Sequence, residues 1–127
     1  MRTITFLPTR VQEQVHDFWT RLGVPCVLDQ GVCRIYRLAH RSYVGFCTHL
    51  EVPSPSDAVI VCLVVGTVAE VDVWHARTHH AGLMPDGAPR ENASFRLCHF
   101  FVPMPDGYRL EVQAFLHPFD GDEVTTS

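Results

Sequence analysis

Thr67-Val68-Ala69-Glu70 and Thr9-Arg10-Val11-Gln12 decide the fold, because they carry one signal in the two halves of the chain. In each, a hydroxyl stands at an N-cap and Glu or Gln follows three positions later. That is a capping box, in which each side chain satisfies an orphan backbone N–H of the first helical turn. After Thr9, the apolar residues Val11, Val15, Phe18, Trp19 and Leu22 fall on one helical face, and Gly23 supplies the stop. After Thr67, Val68, Val71, Trp74 and Ala81 repeat the stripe and Gly82 closes it.

Working outward, each helix follows a short apolar run of strand character, Thr3–Leu7 for the first and Val59–Val65 for the second. Three strand-like runs follow each helix. They are Cys26–Leu28, Val32–Leu38 and Ser42–His49 in the first half. In the second half they are a weak run near Leu83–Met84, then Phe95–Val102 and Tyr108–Phe115, with Pro105-Asp106-Gly107 as a turn. Glu51–Asp57 reads as a linker, and 120–127 as a polar tail. The chain therefore spells β-α-β-β-β twice, an α+β fold with module one over about 1–50, linker 51–57 and module two over about 58–116, all in one domain of 1–119. Neither half can cover its own sheet alone. The expected architecture is one curved eight-stranded mixed sheet, with helices on its convex side and a trough in front.

Composition narrows the class. With 127 residues, 46% apolar, and a formal charge of −4, the chain is long enough for one buried core. The longest apolar run, Ala58–Val65, is too short to span a bilayer, so no membrane partner is expected. No apolar h-region follows Arg2, so a secretory signal is not expected and the location reads as cytoplasmic. Mild acidity without a basic block argues against nucleic acid. All ten basic side chains are Arg, and without lysine there is no Schiff-base or pyridoxal chemistry. The five cysteines form no CxxC pair and read as free thiols.

Two segments carry a family resemblance: Asp17-Phe18-Trp19-Thr20-Arg21-Leu22-Gly23, and above all Pro105-Asp106-Gly107-Tyr108-Arg109-Leu110-Glu111-Val112. With the duplicated β-α-β-β-β unit, they resemble the vicinal oxygen chelate superfamily, which includes glyoxalase I, bleomycin-resistance binding proteins, fosfomycin-resistance enzymes and extradiol dioxygenases. The resemblance covers essentially the whole chain. It implies a trough whose metal-dependent members hold a divalent ion on the inner strands of both modules. Of those ligand positions only Glu111 is kept. The first-strand position falls at Ile4, between Thr3 and Thr5, and the fifth-strand position at Ile60 or Cys62. On Ser42–His49, neither Phe46 nor Cys47 is a usual ligand. A hard cation needs several converging oxygen or imidazole ligands, so neither a metal nor another cofactor is expected.

Other candidates come from strand alternation. His99 stands on the strand beside Glu111. If it faces that carboxylate the two form an acid–base pair; if it faces the core, Arg96 takes the trough-facing place. Arg34 and Tyr36 alternate on one strand, and Tyr43 shares a face with Gly45 on the next. With Cys62 they are the expected ligand contacts, suited to a planar or anionic small molecule. His75 and His79 have i, i+4 ligand spacing but are expected on a solvated helix face. Two functions follow. One is a metal-free binding protein for a small, partly aromatic or anionic molecule. The other is a lyase, isomerase or dioxygenase acting on a small carbonyl or oxygenated compound, through a divalent metal or a Glu–His pair. In either case a homodimer is expected.

Overall fold

The computed structural model of the chain describes residues 1–119; the polar tail expected over 120–127 lies outside the described residues. The elements run β1 (Thr3–Pro8), α1 (Gln12–Arg21), β2 (Cys26–Asp29), β3 (Cys33–Ala39), β4 (Ser42–Cys47), β5 (Ile60–Val64), α2 (Val68–His80), β6 (Arg90–Asn92), β7 (Leu97–Pro103) and β8 (Arg109–Phe115). The strands form two four-stranded mixed sheets, ordered β1-β4-β3-β2 and β5-β8-β7-β6. In each, the first strand pairs parallel to the last and the remaining pairs are antiparallel. These are the two tandem βαβββ modules read from the sequence. The chain divides into two compact units. The first holds Met1–Val59 together with Met104–Tyr108, and the second holds Ile60–Pro103 and the described residues 109–119.

In the first unit, α1 buries Val15, Phe18 and Trp19, and Trp19 packs on Tyr36 of β3 and Phe46 of β4. Trp19 has ring centroids 6.2 Å from Tyr36 and 6.3 Å from Phe46. Each such side chain, fully buried, contributes about 1.5–3 kcal/mol. Tyr108 completes this core: it is wholly buried, its hydroxyl donates to the Pro8 carbonyl at 2.6 Å, and its ring meets Phe46 at 6.5 Å. The PDGY turn thus belongs to the first unit's core.

The first capping box does not form. The N-cap of α1 is Val11, with no side-chain cap. The Thr9 hydroxyl instead accepts from the Val11 N–H at 3.0 Å and donates to the carboxylate of Asp106, whose side chain is only 2% exposed. A buried carboxylate has a stronger claim on the hydroxyl than a free helix N–H. The second box forms, with the Glu70 N–H donating to Thr67 Oγ1 at 3.2 Å. The buried stripe of α2 differs from the expected one. Val71 and Thr78 are buried, Val68 is exposed, and Trp74 carries the Arg77 guanidinium over its ring at 4.3 Å.

Leu83–Met84 is not a strand; β6 lies further on, at Arg90–Asn92. Met84-Pro85-Asp86-Gly87 has no N–H at Pro85, and Asp86 turns it into a tether. The Asp86 N–H donates to the Phe101 carbonyl at 2.9 Å, and its carboxylate accepts from the Phe101 N–H at 3.1 Å. Met104-Pro105-Asp106-Gly107 repeats that tetrapeptide, and Asp106 is again the tether.

The expectation of five free thiols is corrected. Cys33 and Cys47 are directly opposed in the β3–β4 register, with Cα atoms 4.2 Å apart, and form a disulfide; Cys26, Cys62 and Cys98 are free. An odd count excludes complete pairing but not one bond, and pairing is set by register. With that bond closed, the cysteine count no longer argues for a reducing compartment.

Candidate functional site

Strand β8 alternates strictly. Leu110, Val112 and Ala114 are wholly buried, while Arg109, Glu111, Gln113 and Phe115 share the opposite face. Strand β7 pairs with it so that Phe101 opposes Glu111 and His99 opposes Gln113. His99 is therefore the diagonal neighbour of Glu111, within reach of a long side chain. Its Nδ1 lies 2.7 Å from Glu111 Oε2, the two side chains being 11% and 13% exposed. The face of β7 turned to α2 carries Phe100, whose ring meets His75 at 5.0 Å. His99 therefore looks away from the helix. Phe95, Leu97, His99 and Phe101 are the more apolar alternation set, which by itself favours the core-facing reading of His99 at least as much; the structure turns it to Glu111 instead.

Around this pair, Phe101 packs edge-on against His99 at 5.1 Å, and the Arg109 guanidinium lies over the Phe101 ring at 4.6 Å. On the other side of β8, Cys62 of β5 opposes Glu111 and accepts a hydrogen bond from the Gln113 amide at 2.8 Å. Burial of the thiol pushes the Cys62 pKa up to about 11, the Glu111 charge adds to the shift, and the Gln113 bond opposes it. Cys62 at neutral pH is a thiol, not a thiolate.

Arg96 is not a strand residue. It sits with φ 52° in the turn before β7, and its carbonyl accepts from the Leu116 N–H at 2.8 Å. Arg34 and Tyr36 lie on the α1 side of their sheet. Arg34 pairs with Glu13 of the helix at 2.8 Å, and Tyr36 bonds His16 at 3.0 Å, with burial pushing its hydroxyl up to about 12. Tyr43 is on the opposite face, where with Arg2, Ile4, Val27, Leu28 and Ile35 it lines an open cavity of about 250 Å³. Next along that face the Phe6 ring lies over Gly45, where a Cβ would stand 2.7 Å from it. Sequence reading passed over Arg2 and the apolar floor at Val27 and Leu28. The usable signal was parity: Arg2 just before β1 alternates with Ile4 and Phe6 on it, and Ile4 pairs with Tyr43.

The positions that the family resemblance would give to an ion do not fit one. Ile4 and Ile60 are aliphatic, Cys62 is a protonated thiol bonded to Gln113, and the Glu111 carboxylate is taken by His99. Among the described residues, no group of three or more His, Cys, Asp or Glu is placed to hold a metal. His75 and His79 meet with ring centroids 4.8 Å apart, but His75 is not on a fully solvated face, since its Nε2 lies 2.9 Å from the Gly87 carbonyl and its ring packs on Phe100.

The fold is similar to that of solved glyoxalase and bleomycin-resistance proteins. A glyoxalase/bleomycin resistance protein/dioxygenase from Nocardioides superposes with a TM-score of 0.75 at 18% identity, over 94% of this chain and 85% of its own. A lactoylglutathione lyase from Agrobacterium tumefaciens does so with a TM-score of 0.71 at 18% identity, over 90% and 92%. A bleomycin-binding protein complexed with bleomycin has a TM-score of 0.71 at 17% identity, over 90% and 98%. No protein-family model and no curated protein sequence matches the chain.

Proposed function

We propose that this chain is a glyoxalase/bleomycin-resistance-like binding protein that holds a small, partly aromatic or anionic molecule on the sheet faces turned away from its helices, without a metal ion. The observation that carries the reading is the His99–Glu111 contact at 2.7 Å. The one carboxylate left at the superfamily's ligand positions is hydrogen-bonded to a neighbouring side chain, and aliphatic residues, a protonated thiol or, on β4, Phe46 and the disulfide-bonded Cys47 stand at the others. The faces themselves are apolar with sparse polar groups, as small-molecule sites are, and the likeness in fold to a protein complexed with bleomycin supports the same reading. Exposed Phe6, Ile60 and Val64 on these faces favour a homodimer, which light scattering would report.

A second reading is metal-independent acid–base catalysis on a small carbonyl compound. Glu111 engages Nδ1 of His99, which leaves Nε2 as the ring nitrogen for a substrate proton. Ligand-observed NMR on chelator-treated protein, with a mixture of small planar aromatic compounds, separates the possibilities. The binding reading expects saturable binding and unchanged compounds. A requirement for added divalent ion overturns it, and turnover without metal selects the acid–base reading.

A further inference from the structure

We infer that the cavity on the first sheet is a carboxylate-selective site, whose ligand is a compact acid with one ring or a short branched chain as its body. The inference rests on the reading of the chain as a small-molecule binder and names the ligand class.

The face of β1, β4 and β3 turned away from α1 is apolar at its centre, with Ile4, Leu28 and the buried Ile35 forming the cavity floor. Two polar groups line it, and a third stands beside one of them on the same face. Arg2 and Tyr43 line the cavity, and Arg37 stands directly opposite Tyr43 in the β3–β4 register, one alternation beyond Ile35 on the same face. Arg2 and Arg37 form no ion pair with any described residue, and the Tyr43 hydroxyl has no hydrogen-bond partner there. The contrast with the other face is sharp. There Arg34 is held by both Glu13 and Asp29, at 2.8 Å and 3.4 Å.

No carboxylate occurs at the positions that alternate with Arg2, Tyr43 and Ile35 on these three strands. In a chain of net charge −4, a face holding two unpaired guanidiniums and no acid is a local reversal of sign. It will concentrate anions and repel none. An Arg fork recognises a carboxylate through two parallel N–H bonds, and a phenol O–H supplies a further donor. The apolar floor rewards an apolar body, and a volume of about 250 Å³ admits one ring rather than an extended polycycle.

The test compares phenylacetate with phenylacetamide, an isosteric pair differing in charge, by heteronuclear NMR titration of the whole chain. The expected result is phenylacetate bound on the order of tenfold more tightly, with shifts at Tyr43 and Ile4. Arg2→Gln should erase most of that preference by weakening phenylacetate far more than phenylacetamide, and Tyr43→Phe should weaken the acid a few-fold. Arg2 is exposed, so its variant tests binding without disturbing the core, which a thermal melt confirms. Equal binding of acid and amide overturns the carboxylate site but leaves the binding function standing. So does an acid preference that survives both Arg2→Gln and Arg37→Gln. If neither compound nor any member of the aromatic mixture binds, the function itself falls and this site with it.

Discussion

His99 of β7 and Glu111 of β8 meet diagonally across the second sheet, Nδ1 to Oε2 at 2.7 Å, with both side chains largely withdrawn from solvent. Removing one partner strands the other. Glu111→Ala should cost about 1–3 kcal/mol, because the imidazole loses a charge-assisted bond without regaining full hydration. Urea unfolding measures this directly. Equal stability of variant and parent would mean that the contact does not persist in solution.

Asp86 sets a pH dependence. Burial raises its pKa, but bonds from the Arg90 guanidinium and the Phe101 N–H outweigh that and hold the carboxyl below its ordinary 3.8. A carboxyl whose folded pKa is depressed adds stability above its unfolded pKa, and that contribution disappears as pH falls through the folded value. Melting temperatures measured downward from about pH 5 should therefore drop more steeply for the parent than for Asp86→Asn. Parallel curves would contradict the assignment.

Thr9 and Thr67 look alike in sequence and do different work. Thr67→Ala removes a helix cap and should cost about 1 kcal/mol. Thr9→Ala leaves buried Asp106 short of a donor and should cost about 1–3 kcal/mol. The two Thr9 and Asp106 truncations should be strongly non-additive in a double-mutant cycle, whereas Thr67 and Asp106 should add.

The cysteines give a chemical count. Protein unfolded without reductant should take up three equivalents of an alkylating reagent, at Cys26, Cys62 and Cys98, and all five cysteines should react after reduction. In the folded protein Cys62 should react slowly although it is exposed. A pKa of about 11 leaves about one part in a thousand as thiolate at pH 8. Rapid labelling at neutral pH would contradict that environment.

The duplicated unit was legible because helical stripes and turn residues are local signals, and they recur in both halves. Strand β6 was not, since three residues of Arg-Glu-Asn carry no apolar alternation, and their pairing to Leu97–His99 of β7 is a long-range feature that local pattern does not signal. The α1 cap was misread for a related reason. Its hydroxyl answers to Asp106, far away in sequence. Among the candidate residues, Glu111 came from the family resemblance and Tyr43 from strand alternation, but the facing of His99 could not be read, because its side of β7 is the more apolar one and reads as core. Arg34 and Arg37 differ by three positions on one strand, and parity alone separates a side chain bound to the helix from one on the open face.

The central claim is that the chain binds its ligand without a metal, because His99 rather than an ion holds Glu111. It is tested most directly by calorimetric titration of chelator-treated protein with Zn²⁺, Ni²⁺, Mn²⁺ and Fe²⁺. The account predicts no saturable stoichiometric binding, and the same affinity for a small aromatic acid with and without each ion. One ion bound per chain, and lost in Glu111→Ala, would contradict it.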